Sequence, residues 1–211
     1  MVYSGSGIIP IIKDSNDKYY FVLFVSNRNR NRNRNRNKNN KKLLLLEDAG
    51  GNFEGDNIKM SAIRELKEES SMLFNLEEFA DIETIRKLNW FLNNFNINLL
   101  ENNYMCYFVY LGIFNLDELA FNYKSNNSNF WKYGYSVYTE NKDIVFMPIT
   151  NIKNIKKNII INQRKYELFD RTLKIFKLFN KKYNLETFLN DITKNLLELN
   201  KYKIKNIIIY K

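Results

Sequence analysis

The 211-residue chain has no histidine and a single cysteine, Cys106. Ser–His and Cys–His nucleophile systems are therefore excluded. A zinc site of the usual nitrogen and sulfur ligands has almost nothing to build from. A lone cysteine also excludes an internal disulfide framework and fits a reducing compartment, so a cytoplasmic location is expected. No run of about 20 apolar residues occurs, so no membrane-spanning helix and no membrane partner are expected. The first residues, MVYSGSGIIPIIKD, lack a basic segment and read as a strand, which argues against a secretory signal. Any enzyme chemistry must come from carboxylates, Lys, Arg, Tyr and bound ions.

Acidic residues are also scarce relative to basic ones, and the formal net charge is +10. That excess invites a nucleic-acid partner, but its distribution weakens the case. Residues 27–42, NRNRNRNRNRNKNNKK, hold five Arg and three Lys with no acid, so the rest of the chain is close to neutral. Such a tract buries no apolar area and reads first as a solvated, low-complexity loop insertion. Its alternative role is a phosphate-binding arm, which would add affinity without sequence specificity.

What is present begins with strands. Residues 2–12 and 18–26 are apolar, β-branched and aromatic. The basic run interrupts what looks like a hairpin, and LLLL at 43–46 is its returning strand. A glycine-rich turn then leads to a helix over about 57–72. Segments 89–99 and 103–114 read as paired strands, followed by a short helix to about 124 capped by Asn115 or Asp117. Residues 125–141 read as an aromatic-rich loop, 143–149 as a strand, and TNIKNIKKN as a short helix. From about 164 the periodicity is helical, with a second helix in LETFLNDITKNLLELN and a terminal strand in IIIY. Strands, helix, strands, helix suit a layered, mixed α/β domain. The division expected is a domain over 1–165 and C-terminal helices over 166–211 that pack on the core, extend it or mediate a homodimer.

The most informative stretch is AGGNFEGDNIKMSAIRELKEESSML, residues 49–73. On a helix, Glu65, Glu68 and Glu69 share one face, while Met60, Ile63 and Leu66 are free to meet a core. Like charges at this spacing cost helix stability. Three clustered carboxylates form an oxygen-rich surface that a hard cation neutralises, and Mg2+ or Mn2+ is the natural occupant. Arg64 can pair with Glu68 four residues on and fix its orientation. Asp56 or Asn57 is a good N-cap. Gly50 and Gly51 let backbone carbonyls approach a partner closely, since no Cβ blocks them.

In that register the stretch resembles the Nudix hydrolase superfamily. The family box is a glycine, five residues, Glu, seven residues, Arg-Glu, a bulky apolar residue, any residue, Glu-Glu, any residue, Gly and a second apolar residue. Here Gly50 is followed after five residues by Asp56, and seven more lead to Arg64, Glu65, Leu66, Lys67, Glu68, Glu69, Ser70, Ser71 and Met72. Gly51, Glu54 and Gly55 meet the fuller form of the box. Two positions depart, Asp56 for Glu and Ser71 for Gly. The resemblance implies an α/β/α sandwich on a mixed sheet, with the C-terminal helices as an extension. It implies hydrolysis of a nucleoside diphosphate linked to another group, with Mg2+ or Mn2+. Carried over by position, Glu68 and Glu69 are metal ligands and Gly50 lends its carbonyl. Glu65 is a ligand or orients or deprotonates the attacking water, and Arg64 holds the carboxylates. A further acid often lies on a later loop, for which Glu140 and Asp143 are the candidates.

The box does not name the substrate. Trp90, Phe91, Trp131, Tyr133 and Tyr135 are candidates to stack on a base, though packing at the core or its rim is the commoner fate of any one aromatic. Three activities remain: a nucleotide or dinucleotide pyrophosphatase, which the near-neutral body favours; an RNA-directed enzyme acting on capped RNA through the 27–42 arm; and a non-catalytic binding domain. An arm that holds RNA makes binding fall steeply with salt, and deleting residues 27–42 then abolishes that salt-dependent binding in a filter or anisotropy titration.

Overall fold

The computed structural model describes residues 3–26, 44–55, 57–76, 92–100 and 103–201, with the backbone alone for 195–201. The basic run 27–42, Asp56, Trp90, Phe91 and the IIIY segment lie outside the described residues.

Strand β1 (Gly5–Lys13) is the centre of a nine-stranded mixed sheet. It pairs along its length, in parallel, with β6 (Tyr104–Ile113). Its other pairings are antiparallel: residues 5–8 with β4 (Ala49–Asn52) and residues 11–13 with β2 (Tyr19–Ser26). Pro10 falls in the gap between these two pairings, where a strand tolerates a missing donor. β2 also pairs with β3 (Leu44–Glu47) and with β7 (Asn141–Pro148). β5 (Asn96–Leu99) flanks β6, and the hairpin of β8 (Asn158–Ile161) and β9 (Arg164–Leu168) joins through β3.

A strand in the middle of such a sheet is buried on both faces, which accounts for the apolar run Ile8 to Ile12. Its alternate residues feed two separate cores. Ile8, Ile12, Val22, Phe24 and Ala49 pack with helices α1 (Ile58–Glu69) and α2 (Leu116–Lys132). Ile9, Ile11, Phe21, Leu23 and Leu46 pack on the opposite side with α3 (Asp170–Lys182) and α4 (Leu185–Lys201). The fold is thus an α/β/α sandwich on a mixed sheet. The junction expected between 165 and 166 falls inside β9. Ile175, Phe176, Phe179, Phe188 and Ile192 of the C-terminal helices are all buried in the sheet's core.

Several features differ from the sequence-based expectation, among them residues 92–94, helical where a strand over 89–99 is expected, and β8, which the sequence reading does not include. Gly50 and Gly51 lie in strand β4 rather than in a turn, because β1 offers them a ladder opposite Gly7 and Ser6. Met60 does not join the core and is half exposed. The stretch 125–132 continues helix α2 instead of forming a loop. Asn115 caps that helix, Leu119 and Tyr123 anchor it, and Asn126 and Asn127 donate to Ser71, which together outweigh the weak propensity of KSNNSN. Residues 164–168 form β9, not the start of a helix, because β3 and β8 flank them and complete their hydrogen bonds.

The ends of α1 are closed by side chains. Asn57 is the N-cap and accepts from the backbone of Lys59 and Met60 at 2.9 and 3.4 Å. At the C-terminus, the N–H groups of Ser71 and Met72 donate to the carbonyls of Glu68 and Lys67, the paired bonds of a Schellman ending. Ser71 and Met72 both hold positive φ, 52° and 60°. A left-handed L-residue costs roughly 1–2 kcal/mol. The buried Ser71 hydroxyl offsets this by donating to the Tyr138 carbonyl at 2.7 Å and accepting from Asn127 at 3.0 Å. Ser71→Ala keeps the strain and loses both bonds, whereas Ser71→Gly loses the bonds but relieves the strain. Urea unfolding is therefore expected to rank stability as wild type, then Ser71→Gly, then Ser71→Ala, with the alanine variant down by about 1–3 kcal/mol.

Candidate active site

Five consecutive positions, Glu47 to Gly51, connect the sheet to both helical layers. Side chains alternate across a strand, so Glu47, Ala49 and Gly51 turn toward α1, and Asp48 and Gly50 toward α3. Glu47 pairs with Phe24, a member of the core under α1. A Cβ on Gly51 would meet the Glu65 carboxylate at 2.5 Å. A Cβ on Gly50 would lie 1.8 Å from the Tyr104 hydroxyl. The close approach expected at Gly50 is thus made by a tyrosine of β6.

On the α1 side, the carboxylates predicted to share a face do so, at different depths. Arg64 donates to Glu65 at 2.5 Å and to Glu68 at 2.7 Å, and stands 3.6 Å from Glu54. It therefore braces two of the three acids, as its spacing to Glu68 implies. Glu65 is largely buried. Burial raises its pKa, against the pull of Arg64, and the charges of Glu68 and Glu140 raise it further. Glu69 is deeper, 4% exposed. Its Oε2 accepts from the Asn141 side-chain amide at 3.0 Å. Asn141 is held in turn by its own carbonyl, which accepts from Tyr123 and Asn127 of α2. Burial, then the neighbouring charge of Glu47, push the Glu69 carboxyl well above its ordinary range.

On the α3 side, Asp48 is fully buried and fully satisfied. It accepts from Tyr104 at 2.6 Å, Thr172 at 2.7 Å and the Arg171 Nε at 3.1 Å. Its N–H donates to the Thr172 hydroxyl. Arg171 lies over the Tyr104 ring, 4.5 Å from its centroid. Its second nitrogen donates to the Gly50 carbonyl at 3.0 Å. The oxygen expected to face a cation is thus bonded to a guanidinium, which among the described residues uses one of its two lone pairs.

Of the later acids, Glu140 ends the short 3-10 helix Ser136–Thr139 and acts on Glu65 through its charge. Asp143 instead accepts from the N–H of Ile144 and lies 3.9 Å from Lys124. Trp131, Tyr133 and Tyr135 are all exposed at the end of α2 and beyond it, next to the 3-10 helix. Among the described residues, no three Asp, Glu or Cys side chains come together so as to hold a metal ion by themselves. No helix among them is long and apolar enough to cross a membrane.

Sequence reasoning missed Glu47, Asp48, Asn141 and Arg171. For Glu47 and Asp48 a signal existed, since two acids directly follow a four-leucine strand. For Asn141 and Arg171 no local pattern marks a partner that lies 72 or 123 residues away.

No family model matches the chain, and no curated protein matches it. Among solved structures the chain is similar to the crystal structure of a C. elegans Ap4A hydrolase binary complex. The likeness covers 84% of this chain and 96% of that one, at 13% identity and a TM-score of 0.45.

The raised Glu69 carboxyl gives stability a sign with pH. A group whose folded pKa is raised favours the fold below its unfolded value, and that contribution is lost as pH rises through the folded value. Glu69→Gln mimics the protonated form at every pH. In chelator, the melting temperature of Glu69→Gln relative to wild type is expected to increase from pH 4.5 to pH 8. A gain of about 2–4 °C corresponds to roughly 1 kcal/mol in a chain of this length. A difference that stays flat with pH contradicts it.

Proposed function

We propose that the chain is a divalent-cation-dependent pyrophosphohydrolase of the Nudix type. It cleaves the pyrophosphate linkage of a nucleoside diphosphate derivative by attack of water at phosphorus. The observation that carries this reading is the acidic seam between α1 and the sheet. Glu65, Glu68 and Glu69 stand in the family register, two of them braced by Arg64, and Glu69 is buried beside Glu47 with an amide as its hydrogen-bond donor.

The donor set fits a hard cation. Its oxygens are carboxylate and carbonyl, and its negative charge exceeds what Arg64 supplies. Magnesium usually needs only one or two carboxylates, its remaining positions being filled by water and substrate phosphate. The seam therefore needs no three-acid cage. Glu68 and Glu69 would hold the cation, and the second lone pair of the Gly50 carbonyl is a further donor. A bound Mg2+ or Mn2+ would neutralise phosphate charge and lower the pKa of a bound water.

The chain's own residues divide the remaining work. Glu65, with its raised pKa and its place against Gly51, is suited to orient and deprotonate the attacking water. Arg64 sets the angle of Glu65 and Glu68. Glu140 is the later acid that supports Glu65, ahead of Asp143, because its charge already reaches that carboxylate. Asp56, which precedes the N-cap residue in sequence, keeps a carboxylate at the box position and is a further candidate acid. Nucleotide or dinucleotide pyrophosphates are the substrate class.

The test is a screen of dinucleoside polyphosphates, nucleotide sugars, NAD-type dinucleotides and capped RNA, with Mg2+ and with Mn2+. Release of a nucleotide product from at least one class is expected. Glu69→Gln should lower kcat/KM on the order of 100-fold or more, equivalent to about 2.7 kcal/mol of transition-state stabilisation. Equal rates for wild type and Glu69→Gln would sink the assignment.

A further inference from the structure

We propose that Glu47, outside the box motif, is a ligand of the same cation, so that the site is built from a strand acid and a helix acid, Glu47 of β3 and Glu69 of α1. This rests on the cation-dependent reading of the seam.

Three observations carry it. First, register: Glu47 lies opposite Phe24 in the β2–β3 ladder, which turns its side chain to the α1 face. From that face its charge acts on Glu69, at the end of α1. Second, burial without a partner: Glu47 is 4% exposed, and among the described residues no hydrogen bond or ion pair reaches its carboxylate. The fold knows how to satisfy a buried acid, since the very next residue, Asp48, receives Tyr104, Thr172 and Arg171. Glu47 is given none of these. Third, Glu69 leaves room: its bond from Asn141 uses Oε2 and none reaches Oε1 among the described residues. Two buried carboxylates with free oxygens, one from each side of a seam, match the one or two that a magnesium ion takes from protein.

The experiment compares wild type, Glu47→Gln, Glu47→Asp and Glu69→Gln, using Mn2+ alone as the probe. Manganese affinity is read by electron paramagnetic resonance, and thermal unfolding is followed in chelator and in Mn2+. In chelator, Glu47→Gln should melt at or above wild type, because a like charge has been removed without loss of volume. That result also shows that it folds. In Mn2+ its affinity should fall at least tenfold and the metal-induced rise in melting temperature should shrink, with Glu47→Asp recovering part of both. A purely structural Glu47 would change the melting temperature in chelator and leave manganese affinity as in wild type, which overturns the proposal. If wild type and Glu47→Gln bind Mn2+ equally while Glu69→Gln does not, only the role of Glu47 fails. If wild type binds no Mn2+, the cation-dependent reading fails with it.

Discussion

Asp48 and Arg171 tie the sheet to the C-terminal helical layer. The aspartate leaves the end of β3 and the arginine comes from the first turn of α3. A buried pair of this kind is stable only when the remaining polar atoms find partners. Tyr104 and Thr172 complete the carboxylate, and the Gly50 carbonyl takes a second guanidinium nitrogen. That packing sets a steric demand on the sheet. The Tyr104 hydroxyl fits only because Gly7 and Gly50 lack a Cβ, which would sit 2.1 and 1.8 Å from it. The glycines of β1 and β4 are thus spaces for a tyrosine, and the tyrosine serves the aspartate.

The same strand alternation makes the other face anionic. Once Asp48 points to α3, Glu47 and Gly51 must point to α1. Gly51 leaves room for the Glu65 carboxylate, and Glu47 comes beside Glu69. One cation, Arg64, then serves Glu65 and Glu68, while Arg171 is engaged by Asp48 and lessens the charge at Glu69 only from a distance. The imbalance on the α1 side is a consequence of satisfying the α3 side. Both layers read the same five residues.

Periodicity in the sequence marks β1, β2, the core of α1 and the two C-terminal helices, because each shows one clear repeat. It fails where neighbours in space decide. Residues 125–132 read as loop from their Asn and Ser, yet Asn126 and Asn127 are held by Ser71 across the gap to α1. Residues 164–168 precede a strong helical pattern and borrow its appearance, while their pairing with β3 makes them a strand. Within the site, Arg64, Glu65, Glu68 and Glu69 are legible because one helix sets their spacing. Asn141 and Arg171 are not, because the sheet alone brings them there.

Ser71 shows how a departure from a motif can be a coupling. A glycine would take the left-handed turn at the end of α1 without strain, but it has no hydroxyl. Serine accepts the strain and uses its hydroxyl to fasten the helix end to the Tyr138 carbonyl. Tyr138 belongs to the 3-10 turn Ser136–Thr139, and Glu140 follows that turn. Asn126 and Asn127 close the same junction from α2. The bond therefore fixes the segment that carries Glu140 relative to the helix that carries Glu65. Loss of the Ser71 hydroxyl loosens two acids from one another rather than one helix from its core. The serine is for that reason a structural strut between α1 and the segment that carries Glu140.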